Sequence, residues 1–140
     1  MSINRSVCYC SFIDAICKNW EVLGLEEFFP HTGIVQDEDN TSPDGPYAVF
    51  EEIASNVVYE NCDAIIDRTT YVFTAHCSNS SEQLKKLGMR MRRAIDRCFN
   101  SIATDCGDIK SAKARKPVVR RTGYTWTLRL QFNVDIVSLK

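Results

Sequence analysis

A thiol next to an imidazole, at His76-Cys77, is the simplest arrangement in this chain that could do nucleophilic chemistry. It does not predict a catalytic pair. Adjacent residues on a strand point to opposite faces, so this imidazole cannot take the proton of its neighbour's thiol. The remaining cysteines are Cys8, Cys10, Cys17, Cys62, Cys98 and Cys106; they form no C-x-x-C pair, and His31 and His76 are not at zinc-finger spacing. An odd number at irregular intervals predicts small buried hydrophobes in a reducing compartment, not a disulfide scaffold. Carboxylates occur together at Glu51-Glu52 and in the run Asp37-Glu38-Asp39. A cation site there would need further ligands converging from elsewhere. The sequence contains no phosphate-cradling or dinucleotide-binding glycine pattern, no H-E-x-x-H and no G-x-S-x-G. These residue types point away from catalysis, and no metal or cofactor is expected.

Cations carry the stronger signal. "KSAKARKPVVRR" places Lys110, Lys113, Arg115, Lys116, Arg120 and Arg121 within one short segment, enough for contacts to phosphates. The aromatics that base stacking needs, Tyr71, Phe73, Trp126 and Phe132, fall on positions that read as core. A basic module gripping a nucleic-acid backbone is therefore one reading, and sequence-specific recognition is not. Net charge is only −1, yet it is badly segregated. Residues 1–84 hold three basic against fourteen acidic residues, a net of −11, and residues 85–140 hold fourteen basic against four acidic, a net of +10. Two oppositely charged surfaces suit head-to-tail self-association or two different partners; the bland alternative is that the halves interleave and the charges mix.

The elements that must position these residues follow from periodicity. Tyr9, Phe12, Ile13, Ile16, Trp20 and Leu23 recur at helical spacing, predicting a helix over about 6–23 with Ser6 as cap and Gly24 at its end. "QDEDNTSPDGP" (36–46) reads as an acidic loop. Strands are expected at 47–55, after Pro46, then more briefly at 56–62, then at 64–78. Asn79 with Glu82, or Ser80 with Gln83, forms a capping box for a second helix over about 80–103. Leu84, Leu87, Met91, Ile95, Cys98 and Ile102 are its apolar stripe, and Lys85, Lys86, Arg90, Arg92, Arg93 and Arg97 load the rest, a pattern usual for a solvated face. Residues 107–116 read as a polar loop. A strand at 117–121 turns at Thr122-Gly123 into "TWTLRLQFNVDIVSL", where Trp126, Leu128, Leu130, Phe132, Val134 and Ile136 alternate with Thr125, Thr127, Arg129, Gln131, Asn133 and Asp135. That last strand buries one face and offers the other to something polar.

The expected fold is α+β: a mainly antiparallel sheet of four to five strands with two helices packed on one face. A length of 140 residues, 44% hydrophobic and 25% charged, fits a single domain over 1–140. No apolar run is long enough to span a membrane, and Asp14, Lys18 and Asn19 interrupt the only early apolar stretch, so the chain is expected to remain in the compartment where it is made.

Four stretches, "GPYAVFEEI" (45–53), "DRTTYVFTAHC" (67–77), "SEQLKKLGMRMRRAIDRCF" (81–99) and "RRTGYTWTLRLQFNVDIV" (120–137), give the chain a resemblance to tail terminator, or tail-completion, proteins of long-tailed bacteriophages. Those families show a short amphipathic N-terminal helix and a proline-led first strand ending in acidic residues. A long strand then runs into one long helix, and a strand hairpin closes the chain. The resemblance implies a virion protein, made in the host cytoplasm, forming a homo-oligomeric ring, usually a hexamer, at the head-proximal end of the tail tube. Its implied partners are the tail tube protein and the neck or connector protein, with genome DNA passing through the lumen without sequence-specific binding and no membrane involved. A neck or head-completion protein is the nearest alternative, and a cellular interaction domain a more distant one. Under this resemblance Asp37, Glu38, Asp39, Asp44, Arg129 and Gln131 are candidate contacts to a neighbouring subunit or the tube. Lys110, Lys113, Arg115, Lys116, Arg120 and Arg121 are candidates to face the lumen or DNA, or to pair with the acidic loop of an adjacent subunit. The loops 36–46 and 107–116 are the expected contacts along the tail axis.

Overall fold

Ser11 starts the first helix, α1 (Phe12–Lys18): its hydroxyl accepts the Asp14 N–H at 3.1 Å while the Asp14 carboxylate accepts the Cys10 N–H at 2.9 Å. The computed structural model describes residues 3–31, 34–35, 47–77 and 81–140. Helix α1 is much shorter than the expected 6–23, and its cap is Ser11, not Ser6. The stop is local. Asn19 gives both its backbone and side-chain N–H to the Ala15 carbonyl, and the chain turns on to Gly24 at φ 73°. All six residues of the expected stripe are nevertheless buried, Trp20 with its indole N–H on the Phe29 carbonyl at 2.8 Å.

The strands are β1 (Ile34–Val35), β2 (Tyr47–Glu60), β3 (Ala64–Cys77), β4 (Ala103–Thr104), β5 (Gly107–Ala114), β6 (Val118–Thr122) and β7 (Thr125–Leu139), and the second helix is α2 (Ser81–Cys98). The sheet runs β1-β2-β3-β7-β5-β4, with β6 also paired to β7. Every pairing is antiparallel except the two-residue β1 against β2. Counting strands of five residues or more gives five, so the α+β expectation holds.

Two readings of the strands are corrected. Residues 47–60 form one 14-residue strand, not two, because Ile53 and Val58 are bulged out of register against β3 and each resets the alternation. Residues 107–114, expected as loop, are strand β5. Only Ile109 and Ala112 are buried along it, too little apolar content for the alternation to stand out among Asp108, Lys110 and Lys113. Helix α2 ends at Cys98, short of 103, and Ser101 turns at φ 67°. The expected capping box at Asn79 and Ser80 and the loop 36–46 lie outside the described residues.

One face of the sheet is covered. Leu84, Leu87, Met91 and Ile95 of α2 and Phe12 and Ile16 of α1 are buried against Leu128, Leu130, Phe132 and Val134 of β7. The Phe12 ring sits at the centre, 4.7 Å from Phe99 and 5.4 Å from Phe132. Arg5 ties the N-terminal segment to the end of α2, donating to the carbonyls of Cys98 and Asn100 at 3.2 and 2.6 Å. Among the described residues no helix is long and apolar enough to cross a membrane.

Candidate assembly surface

The other face of the sheet carries the polar half of β7. Antiparallel register sets its residues beside side chains of β3, β5 and β6 on the same surface: Thr127 beside His76 and Arg120, Arg129 beside Thr74 and Val118, Asn133 beside Thr70 and Lys113, and Asp135 beside Arg68 and Ser111. Toward the end of β7 these groups satisfy one another. Arg68 grips Asp135 through two bonds of 2.8 and 3.1 Å, and Thr70 donates to Asn133 at 2.7 Å. At the start of β7, His76 stacks on Tyr47 with ring centroids 4.6 Å apart, and its Nδ1 lies 3.2 Å from the Thr127 hydroxyl. Partial burial lowers the His76 pKa from its ordinary value, favouring the neutral ring.

Between these two regions lies a groove. The Arg115 N–H bonds the Gln131 carbonyl at 2.8 Å, the last link on the β5 side, and Pro117 then separates β5 from β6, so β7's edge passes from one strand to the other. The gap is a groove of about 320 Å³ lined by Arg115, Lys116, Val118, Arg120, Thr127, Arg129 and Gln131. The ion pairs among the described residues are Lys18–Asp14, Arg68–Asp135 and Lys140–Glu60, so none of these four cations is neutralised by a described carboxylate. A concave surface with four cations that no described carboxylate pairs attracts an anionic partner.

Residues assigned to two different roles from sequence therefore meet in one place. Arg129 and Gln131, candidates for a subunit or tube contact, share the groove with Arg115, Lys116 and Arg120, candidates for the lumen. Lys113 projects from the same face of β5, and Lys110 is exposed at its bulge. Arg121 does not join them: it pairs with Trp126 on the opposite face, its Nε 3.3 Å from the Gly123 carbonyl. Asp37, Glu38, Asp39 and Asp44 lie outside the described residues.

The distal half of β2, expected as a short strand, carries a surface that was not among the candidate contacts. From Glu51 to Glu60 every residue is exposed, including Ile53, Val57, Val58 and Tyr59, each about half accessible at 45–56%. The signal was present in "NVVYE", an apolar run without polar alternation, in a strand that no described layer covers. On α2, Arg90 lies over the Phe28 ring at 5.3 Å, while Lys85, Lys86, Arg93 and Arg97 are exposed, as a solvated face requires.

The cysteines depart from expectation. Cys17 is buried, but Cys8, Cys10, Cys62 and Cys106 are exposed and Cys77 and Cys98 half-buried. Cys8 lies 3.5 Å from an Asp105 carboxylate oxygen, and desolvation, then that carboxylate, raises its pKa, disfavouring the thiolate. Cys77 packs against the core while His76 faces the open side, as strand geometry requires. Among the described residues no three His, Cys, Asp or Glu side chains converge as a metal site.

No protein-family model matches the chain, and no curated protein does. Among solved structures it is similar to a chain of the virion of a native gene transfer agent (GTA) particle, at a TM-score of 0.60 and 11% identity, over 81% of this chain and 84% of that one. At that identity the likeness establishes a shared fold over most of both chains.

Proposed function

We propose that this chain is a structural protein of a virion and, more specifically, a tail terminator: a ring at the head-proximal end of a tail tube that ends tube polymerisation and joins tail to neck. The observation that carries the reading is the fold held in common with a chain of a gene transfer agent virion over four-fifths of both molecules. The surface supports it. A sheet covered on one side, with an open polar face, a basic groove and an exposed apolar strand, provides several distinct contact surfaces for a small assembly subunit. In a closed ring each copy contacts the next through two different patches, and the segregated charge of this chain can supply them. The tube protein and the neck are its partners along the tail axis, and genome DNA passes through the lumen without base-specific contacts. The candidate contacts in loop 36–46, Asp37, Glu38, Asp39 and Asp44, belong to this proposal.

Omitting the chain from the assembling particle tests this reading. A terminator's absence gives tails of uncontrolled length that fail to join filled heads. Tails of normal length beside unjoined heads would instead identify a neck protein, and normal particles would refute both.

A further inference from the structure

Among the strand edges that the described residues leave unpaired, two carry opposite charges. On β2, β1 pairs only with Ala48 and Val49, so the backbone from Phe50 to Glu60 has β3 on one side and no described strand on the other. Glu51, Glu52 and Glu60 are exposed along it, interspersed with the four exposed apolar residues named above. On the far side of the sheet β6 pairs with β7 alone, and its outer edge leads into the groove of Arg115, Lys116, Arg120 and Arg129. Strands β3 and β7 lie between the two edges, so one molecule can use both at once.

An exposed edge with apolar side chains is a template for another strand, and natural sheets blunt such edges unless they are used. Here the charges select what can dock. Two β2 edges paired antiparallel over their open length would set Glu51 of one copy beside Glu60 of the other, and two β6 edges would oppose Arg120 to Arg120; like charges across a strand pair are destabilising. A β2 edge against a β6 edge is complementary. We infer that the distal half of β2 in one copy docks on the β6 edge and basic groove of a second copy, joining identical subunits head to tail through the acidic side of one sheet and the basic side of the next. This contact rests on the ring reading and names the surfaces that close it. Tyr59, which the register sets on the same face of the sheet as Val118, would supply its apolar part against that residue, itself 44% exposed.

Charge reversal tests the pairing. Glu51→Arg with Glu52→Arg makes one variant, and Arg120→Glu with Arg129→Glu the other; all four side chains are surface-exposed, and circular dichroism checks that each variant folds. By sedimentation velocity at low salt the wild type should self-associate, and each variant alone should associate at least about tenfold more weakly. An equimolar mixture should recover association, because the reversed edges now complement each other and the unaltered edges still do. Single variants that assemble like the wild type, a mixture that does not recover, or a wild type that stays monomeric would each overturn the inference. So would variants that lose only retention on DNA, which would give the groove to a phosphate backbone. Addition of polymerising tube protein separates this inference from the reading beneath it. Paired edges without any effect on tube growth would sustain the contact and refute the terminator. Variants that still cap tubes would refute the contact alone.

Discussion

Gly88 sits in the middle of α2 where the helix meets the start of β6, and its missing side chain allows that contact. A Cβ there would lie 2.8 Å from Pro117 Cβ and 2.9 Å from Leu128 Cδ1. Gly88→Ala gains up to about 1 kcal/mol of helix propensity. It also overpacks a contact between helix and strand, at a cost of about 1–3 kcal/mol. The expected outcome is a lower urea midpoint, and an unchanged or higher one would contradict this packing. Tyr71 offers a second test. Burial, and after it the charges of Glu52 and Cys106, push its pKa from 10.0 up to about 12, so the fold favours the neutral phenol. The associated stability is complete below pH 10 and is lost as the pH rises from 10 through about 12. Tyr71→Phe should remove that alkaline loss, seen by comparing urea midpoints at about pH 9 and 11. At this scale the sequence was legible where a single face decided the outcome: Leu128, Leu130, Phe132 and Val134 alternate and are buried. It misled for the cysteines, whose hydrophobic character did not place Cys8, Cys10, Cys62 or Cys106 inside.

Element boundaries follow from interactions that periodicity does not contain. Helix α1 is one-sided over its whole expected span, but the second amide on the Ala15 carbonyl ends it at Lys18. Strand β2 carries two bulges, and each changes which face the next apolar residue takes. Strand β5 is an edge element whose inward residues are mostly alanine, so its hydrophobic alternation is faint. The same features predict unequal stability along the sheet. Strands β3 and β7 are hydrogen-bonded on both sides near Phe73 and Val134, whereas the distal half of β2 has one neighbour among the described strands. Amide exchange in the dilute monomer should therefore be slowest around Phe73 and Val134 and much faster from Ile53 to Tyr59. Equal protection along β2 would contradict an open edge. If copies join through that edge, protection there should rise with concentration while the centre of the sheet stays unchanged. The β6–β7 hairpin was readable, with its turn at Gly123-Tyr124, one residue later than expected, because Gly123 at φ 63° turns two strands whose patterns already agreed.

For the whole molecule, part of the charge segregation along the sequence reappears across the sheet: Glu51 and Glu52 are exposed on β2, while Arg115, Lys116, Arg120 and Arg129 gather in the groove between β5 and β6. Strand order could not be read from composition, so neither could the convergence of Arg115, Arg120 and Arg129 in one groove. Self-association through such surfaces should weaken steeply as salt rises from about 50 to 500 mM, because screening acts most on exposed charges. Salt-independent association would assign the contact to apolar surface alone. Replacing Arg129 and Gln131 with alanine should likewise reduce oligomer size while changing monomer stability by less than about 0.5 kcal/mol, as for surface sites generally. An unchanged size would remove them from the interface. The central claim is that this chain ends the growth of a tail tube. The most direct test mixes the purified protein with polymerising tail-tube protein and images the products by electron microscopy. The account predicts tubes that stop growing and carry an added ring at one end; tubes that elongate unaffected, with bare ends, would contradict it.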